Sequence, residues 1–420
     1  MQASPTSLRA YGNSSTGKDR WLTWLVSLIL ALSLVGYPIA SSAAALIAVD
    51  NAVINYPLRG IVVLLSVVLI VVAFTQGSLR IPKLITTFLL LYSVRLLVDF
   101  EVIDRVIVER DALIFLSTLL VPSLAMGSTW RHYSESLAAL VTVGFGSLAC
   151  ILIVIALYGG MGVSTTIDLG SRAWLENLNP ITIAYTGIWT ALAAYSARQF
   201  CSAPVRLLVL WPLVALGIIT FLLGGSRGPV VGLGLFFGLR ALINGRGALA
   251  TLLFLGAMVT IAAEKFANLA IFQRFTNLAT DPSVLERLLV QGRSLDQGMD
   301  NPLWGSAYLE LSTLSYPHNL LLEAFMALGV MGGLAMLAIQ VNLLRSTITM
   351  MRTGYILLPG LASMAIADAW ISGSIFGSGD FFILAVASHF FAARCRAAGN
   401  IKQRKKTEKA SLFHHQAEHL

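Results

Sequence analysis

The chain has 420 residues, of which 56% are hydrophobic and 12% are charged. Soluble domains contain about 45–50% apolar and about 25% charged residues, so this composition excludes an ordinary soluble enzyme. The formal net charge of +8 is expected where Lys and Arg gather on cytoplasmic loops, and it therefore does not indicate nucleic acid as a partner.

Apolar runs of about 20 residues, the length that crosses a bilayer as a helix, recur along the chain. The sequence therefore predicts an all-α polytopic membrane protein with about twelve transmembrane helices. These spans are expected at 21–46, 58–76, 83–100, 111–128, 136–158, 180–196, 205–223, 229–243, 247–263, 318–344, 354–372 and 375–393. The first run also imitates a secretory signal peptide, but we interpret it as an uncleaved span.

The positions of the basic residues predict the orientation. With the N-terminus in the cytoplasm, each inner loop carries a cation and most acidic residues lie outside, as the positive-inside rule requires. The expected divisions are a cytoplasmic N-terminus (1–20), nine spans (21–263), an external loop (264–317), three further spans (318–393) and a basic cytoplasmic tail (394–420). We expect the tail to contact anionic membrane lipid.

Charged residues inside predicted spans are candidates for structural or functional roles. Arg95 and Asp99 in the third span are four residues apart, so they share a helix face and are predicted to form a structural pair. Asp368 in the eleventh span is also charged, and we give it a smaller functional weight.

Arg227 is an exception to the predicted distribution of cations. It lies at the outer end of the seventh span, in Gly224-Gly225-Ser226-Arg227-Gly228. The glycines at four-residue spacing indicate close helix packing, which does not explain the guanidinium. Two interpretations remain open, an arginine that snorkels to the interface and one that binds an anion.

The external loop contains a predicted amphipathic helix. Asp281 is the expected cap and Pro282 the first helical residue. Apolar residues then recur at helical spacing, namely Leu285, Leu288, Leu289, Leu295 and Met299. This pattern is typical of a helix lying on a membrane surface. Arg287 is expected opposite this stripe and Arg293 on its flank, and both could be solvated surface cations.

The loop ends at His318 and Asn319, where the tenth span begins. Glu323 is four residues beyond Asn319 and shares its helix face. A lone histidine at a helix start is more often a structural hydrogen-bonding residue than a catalyst. The sequence contains no paired-histidine metal motif and no phosphate-binding loop, so no metal and no cofactor are predicted.

Taken in order, these elements resemble the bacterial O-antigen ligase and O-antigen polymerase family. Three segments carry the resemblance: Gly225-Ser226-Arg227-Gly228; Arg287 followed by Asn301-Pro302-Leu303-Trp304-Gly305; and His318-Asn319 followed after nine residues by Gly329-Val330-Met331-Gly332. The likeness covers roughly residues 220–335. Gln291 and Ala307 depart from the family pattern, so Arg293 remains a rival of Arg287 as the main loop arginine.

The resemblance implies a fold similar to the C-type membrane glycosyltransferases, located in the bacterial inner membrane with its active site on the periplasmic face. The implied reaction is metal-independent transfer of an O-antigen glycan from undecaprenyl diphosphate to the lipid A core, with inversion. His318, Arg287 and Arg227 are then the expected catalytic residues, and Arg293, Asn319 and Glu323 are expected to bind substrate. The alternatives are a repeat-unit or exopolysaccharide polymerase and, from another class, a transporter of lipid-linked glycan.

Overall fold

The computed structural model describes residues 17–158, 178–245 and 282–417, and within these ranges the chain is helical without strands. The helices are α1 (Gly17–Leu46), α2 (Asn51–Thr75), α3 (Lys83–Asp99), α4 (Arg105–His132), α5 (Glu135–Tyr158), α6 (Pro180–Ala197), α7 (Ala203–Gly224), α8 (Gly228–Asn244), α9 (Pro282–Asp300), α10 (Leu320–Arg352), α11 (Leu357–Ile371) and α12 (Gly379–Ala417). Single π-helical turns interrupt α4 at Phe115–Leu120 and α7 at Arg206–Leu210.

Seven of the described helices are long and apolar enough to cross a bilayer, namely α1, α2, α4, α5, α7, α10 and α12. The shorter apolar helices α8 and α11 also coincide with predicted spans, as do α3 and α6. The expectation of an α-helical membrane protein is therefore confirmed. The ninth predicted span, 247–263, lies outside the described residues, and the total of twelve stays a prediction.

The helices pack as one membrane domain. α6 lies between α5 and α7, α1 contacts α2 and α5, and α11 contacts α8 and α10. Small residues allow this close packing: a Cβ on Gly187 of α6 would lie 2.4 Å from the carbonyl oxygen of Gly217 on α7. Because lipid offers apolar side chains no worse an environment than protein, such close backbone approach is a main source of helix association in membranes.

A buried carboxylate fixes the first turn of α11. Glu135 Oε1 accepts hydrogen bonds from the backbone N–H groups of Ile356 (2.8 Å) and Leu357 (2.6 Å). Ser196 Oγ, at the end of α6, donates to the same oxygen over 3.1 Å. A carboxylate at a helix N-terminus satisfies unpaired donors and matches the helix dipole. Glu135 therefore ties α5, α6 and α11 together at one end of the domain.

Helix α9 lies over the domain with its apolar stripe outward. The leucines at 285, 288, 289 and 295 and Met299 are all exposed, whereas Val290 and Ser294 are buried. On the inner face, Gly298 approaches the ring of Phe325 on α10. The exposed stripe agrees with the predicted amphipathic helix, which runs over Pro282–Asp300. Its expected cap, Asp281, lies outside the described residues.

Helix α10 is interrupted at Gly329, where the turn that follows α9 fits into the break. Gly329 has φ 67° and ψ −163°, a conformation essentially limited to glycine. Val330 N donates to Pro302 O over 2.7 Å, and Ser306 N donates to Met326 O over 2.8 Å. The Pro302 turn and the Gly329 segment, two of the motifs found in the sequence, thus bind each other.

Replacing Gly329 by alanine should destabilise the protein by about 3 kcal/mol, because the backbone is strained for any other residue. The new Cβ would also lie 2.3 Å from Leu303 O. The matched control is Gly333→Ala in the same helix, where the nearest atom lies 3.4 Å away. Thermal unfolding in detergent should show a large loss for Gly329→Ala only, and equal melting temperatures would refute this explanation of the break.

Candidate functional site

Two of the predicted catalytic residues meet at the C-terminal end of α11. Arg287 Nη1 on α9 donates to Ile371 O over 2.9 Å, and His318 Nδ1 lies 3.5 Å from Ser372 O. The last carbonyl groups of a helix have no partner within the helix and carry its negative dipole end, so cationic donors are favourable there. The carbonyl groups of two consecutive residues, Ile371 and Ser372, therefore hold both side chains.

His318 is held in a strained backbone conformation. Its φ is 56°, in the left-handed region, which costs about 1–3 kcal/mol for a residue other than glycine. The Tyr316 ring packs against the imidazole with centroids 4.4 Å apart. The next residue, Asn319, caps α10 by accepting from Leu321 N (3.0 Å) and Leu322 N (3.1 Å). These contacts fix the direction in which the imidazole leaves the loop.

The surroundings keep the imidazole of His318 neutral. Burial, followed by the positive charge of Arg287, lowers the pKa of His318 from its ordinary value to about 4. A neutral imidazole near pH 7 can accept a proton, as a general base must. An anion bound beside Arg287 would offset the guanidinium charge and raise the pKa again.

The glycines around Arg227 bring it against α6. Gly225 ends α7 with φ 55° and donates to Phe221 O and Leu222 O, a left-handed C-cap that releases the chain toward Arg227. A Cβ on Gly224 would lie 2.6 Å from Ala184 N, and one on Gly228 would lie 2.9 Å from the Tyr185 hydroxyl. Arg227 therefore lies between two close contacts with α6.

Packing of α8 on α11 places Arg227 at the same end of α11 as Arg287. A Cβ on Gly232 of α8 would lie 2.9 Å from the Cα of Met364. One turn towards the start of α8, the Tyr185 hydroxyl beside Gly228 also lies next to the Asp368 carboxyl. Asp368 in turn is close enough to Arg287 for their charges to interact. Arg227 therefore lies at the same end of α11 as Arg287 and His318.

Arg293, the rival loop arginine, takes a different direction. Its side chain is exposed, and Nη1 donates to Ser312 Oγ over 3.2 Å. Arg287 is half-buried on the face of α9 that approaches α11. The two arginines are six residues apart on the same helix, and of the two only Arg287 reaches His318 and the end of α11.

The other two predicted substrate-binding residues make structural contacts. Asn319 caps α10, and its Nδ2 donates to Trp370 O over 3.4 Å. Glu323 is fully buried, where it accepts from the Tyr92 hydroxyl (2.8 Å) and from Ile375 N (3.0 Å). We interpret both as structural supports, because Asn319 joins the start of α10 to the end of α11 and Glu323 joins it to the chain after α11.

A buried network anchors the loop segment that carries His318. Tyr308 is fully buried, its backbone N donates to Asp99 Oδ2 over 2.8 Å, and its hydroxyl donates to Asp111 Oδ2 over 3.0 Å. Arg95 pairs with Asp99 as the sequence predicted. The pair therefore has a further role, because it holds the second oxygen of Asp99 towards the loop.

The sequence favours a functional role for Asp368 only weakly, yet this residue lies beside Ser372 and Arg287. Ser372 Oγ donates to its Oδ1 over 2.7 Å. The buried Tyr185 hydroxyl also lies next to this carboxyl. A carboxylate within an apolar helix is the feature of the sequence that indicates a functional role for Asp368. The sequence does not indicate that α6 and α9 converge on this residue.

The arrangement offers positive charge next to a proton acceptor. Arg287 and Arg227 are both half-buried, and partial burial strengthens their attraction for an anion relative to water. Planar guanidinium groups bind phosphate oxygens in bidentate fashion. Within the described ranges, no three His, Cys, Asp or Glu side chains are grouped as metal ligands would be.

No protein-family model matches this sequence, and no curated protein matches it.

Proposed function

We propose that this protein transfers a glycan from a polyprenyl diphosphate to an acceptor hydroxyl, as an O-antigen ligase does. The observation that carries the proposal is the meeting of Arg287 and His318 at neighbouring carbonyls of α11. The family resemblance implies a separate part of this reaction for each residue, and the two are 31 positions apart in the chain.

The reaction needs a group that stabilises the departing diphosphate. When the bond between the sugar C1 and the diphosphate oxygen breaks, negative charge develops on that oxygen. Arg287 and Arg227 would bind the phosphate oxygens, and preorganised charge of this kind can increase a rate by several orders of magnitude. In this scheme polyprenyl diphosphate is the leaving group.

The acceptor hydroxyl needs a base, and His318 is the candidate. Its neutral imidazole takes the hydroxyl proton as the acceptor oxygen attacks C1 from the side opposite the diphosphate. The new C–O bond forms as the old one breaks, so the configuration at C1 is inverted. The bound diphosphate raises the pKa of His318, which makes it a stronger base at the moment it is required.

The location of the reaction follows from the predicted orientation. The arginines at 80, 131, 198, 206 and 352 lie on the proposed cytoplasmic side, and the loop with α9 on the opposite, periplasmic side. We accordingly propose about twelve spans of C-type glycosyltransferase character in the bacterial inner membrane, with both termini cytoplasmic. The exposed stripe of α9 would lie against the lipid and place Arg287 near the headgroups.

Deleting the chain in its host and examining lipopolysaccharide on a gel tests the proposed function. We expect bare lipid A core and polymer retained on its lipid carrier, because the final transfer is lost. Core that carries a single repeat unit would instead identify a polymerase. Unchanged lipopolysaccharide, with the glycan still assembled and transferred, would refute both enzymatic interpretations.

The pH dependence of the purified protein should reflect the lowered pKa of His318. Because a base must be unprotonated, activity is lost as pH falls through its pKa, which is about 4 in the unbound protein. We therefore expect kcat/KM, which reports the free enzyme, to change little from about pH 7 to about pH 5. The acid limb of kcat, which reports the substrate complex, should lie at higher pH because the bound diphosphate raises the pKa of His318. An acid limb of kcat/KM near the ordinary histidine pKa would contradict this description.

A further inference from the structure

A cationic pocket lies at the other end of the membrane domain, where α6 turns into α7. This cavity of about 620 Å³ is lined by Arg198, Gln199, Ala203, Arg206, Leu207 and Trp211. Ser196, two residues before Arg198, is hydrogen-bonded to Glu135, which caps the start of α11. His318 lies at the opposite end of that 15-residue helix, about 20 Å away at 1.5 Å per residue.

Two arginines provide the charge of this pocket. The guanidinium of Arg198 stacks on the Tyr195 ring, 3.8 Å from its centroid, which restricts its orientation. Arg206 is exposed at the start of the π-helical turn. Among the residues that the structure describes, neither forms an ion pair with a carboxylate. The positive charge is thus directed into an open pocket and available to an anion.

Apolar side chains surround the cationic pocket. Leu207 and Leu208 are 68% and 73% exposed, and Trp211 is 47% exposed. A tryptophan with an apolar ring and one N–H donor is typical of the boundary between headgroups and acyl chains. The ligand should therefore combine an anionic group with an apolar chain.

We propose that this pocket binds an anionic phospholipid of the leaflet opposite the catalytic site. Arg198 and Arg206 bind the phosphate oxygens, the Trp211 indole lies at the level of the glycerol, and an acyl chain follows the exposed leucines of α7. In the predicted orientation this is the cytoplasmic leaflet, whose negative surface attracts basic residues. The site is separate from the proposed glycan transfer and does not depend on it.

Native mass spectrometry of the purified full chain tests the proposal. The protein is first delipidated and then offered phosphatidylglycerol, phosphatidylethanolamine with the same acyl chains, or inorganic phosphate. We expect one retained phosphatidylglycerol per chain and clearly less phosphatidylethanolamine. Equal retention of the two lipids would overturn the proposal, as would binding of inorganic phosphate with no preference for the anionic lipid.

Variants then locate the bound lipid. Arg198→Gln with Arg206→Gln should reduce phosphatidylglycerol retention by about fivefold or more, as expected when charges near an anionic lipid are removed. Arg352→Gln is the matched control, since Arg352 is an exposed arginine near the same end of α11 but outside the cavity. Arg198→Lys with Arg206→Lys preserves the charge and should retain more lipid than the glutamine pair. Equal loss in the control and the glutamine pair would overturn the assignment.

Discussion

Replacing His318 by asparagine should reduce glycan transfer by about 10²–10⁴-fold, the usual contribution of a general base. The imidazole is the proposed proton acceptor, and the asparagine amide cannot take up a proton near neutral pH. Asparagine is chosen because it tolerates the left-handed conformation that His318 adopts, with φ 56°. The measurement is the rate of transfer by purified protein with a lipid-linked donor.

Leu314→Asn is the matched control for this substitution. Leu314 lies in the same loop, has φ 53° and is exposed. Because Leu314 takes no part in the bonds that hold Arg287 and His318 at the end of α11, its replacement should leave transfer unchanged. Activity in His318→Asn equal to that of Leu314→Asn would show that the imidazole is not the base. Comparable melting temperatures of the two variants would establish that loss of activity is chemical rather than structural.

Arg287→Lys should reduce transfer by about 10²–10³-fold, the range found when a donor to a developing anion is removed. Lysine preserves the positive charge but not the planar pair of donors that matches phosphate oxygens. It also loses the geometry of the bond from Arg287 Nη1 to Ile371 O, which is 2.9 Å long. We expect the main effect on kcat, because the charge to be stabilised develops in the transition state.

Arg293→Lys is the control for Arg287→Lys, and it also decides between the two loop arginines. Both residues lie on α9, but Arg293 is exposed and bonded to Ser312. Its substitution should change transfer by less than about threefold, since exposed polar contacts contribute little. A larger loss for Arg293→Lys than for Arg287→Lys would reverse the assignment that the structure supports.

The helices of this protein were largely predictable because most apolar runs have about the length of one bilayer crossing. Periodicity also predicted α9, which runs over Pro282–Asp300. The basic tail was harder to interpret, because α12 continues as one helix from Gly379 to Ala417. A composition rich in Lys and Arg favours such a helix as much as an irregular tail, since both residues are good helix formers.

Contacts between distant segments were not accessible from the sequence. The pairing of Arg95 with Asp99 followed from four-residue spacing, but nothing indicated that Asp99 would also bind Tyr308 N, 209 residues away. In the same way, Glu323 is a charged residue near the predicted site, yet its carboxylate accepts a hydrogen bond from Ile375 N and has a structural role. Such roles depend on which helices converge, a property of the folded chain rather than of local pattern.

The candidate site also combines features that the sequence predicts with features that only the fold shows. Chemistry and motif resemblance predict Arg287 and His318 as site residues, but only the folded structure brings them together at the end of α11. Asp368 and Tyr185 lie in apolar helices, where a single polar residue is as well explained by packing as by function. The position of Asp368 beside Ser372 and Arg287 is what gives it a place in the site.

The most direct test of the account is release of polyprenyl diphosphate by purified protein given a polyprenyl-diphosphate-linked glycan and an acceptor. We predict one polyprenyl diphosphate released for each glycan transferred by the unmodified chain, and release slower by about 10²-fold or more in His318→Asn. Movement of intact donor without release, or equal release by His318→Asn, would contradict the claim that Arg287 and His318 form a glycan-transfer site.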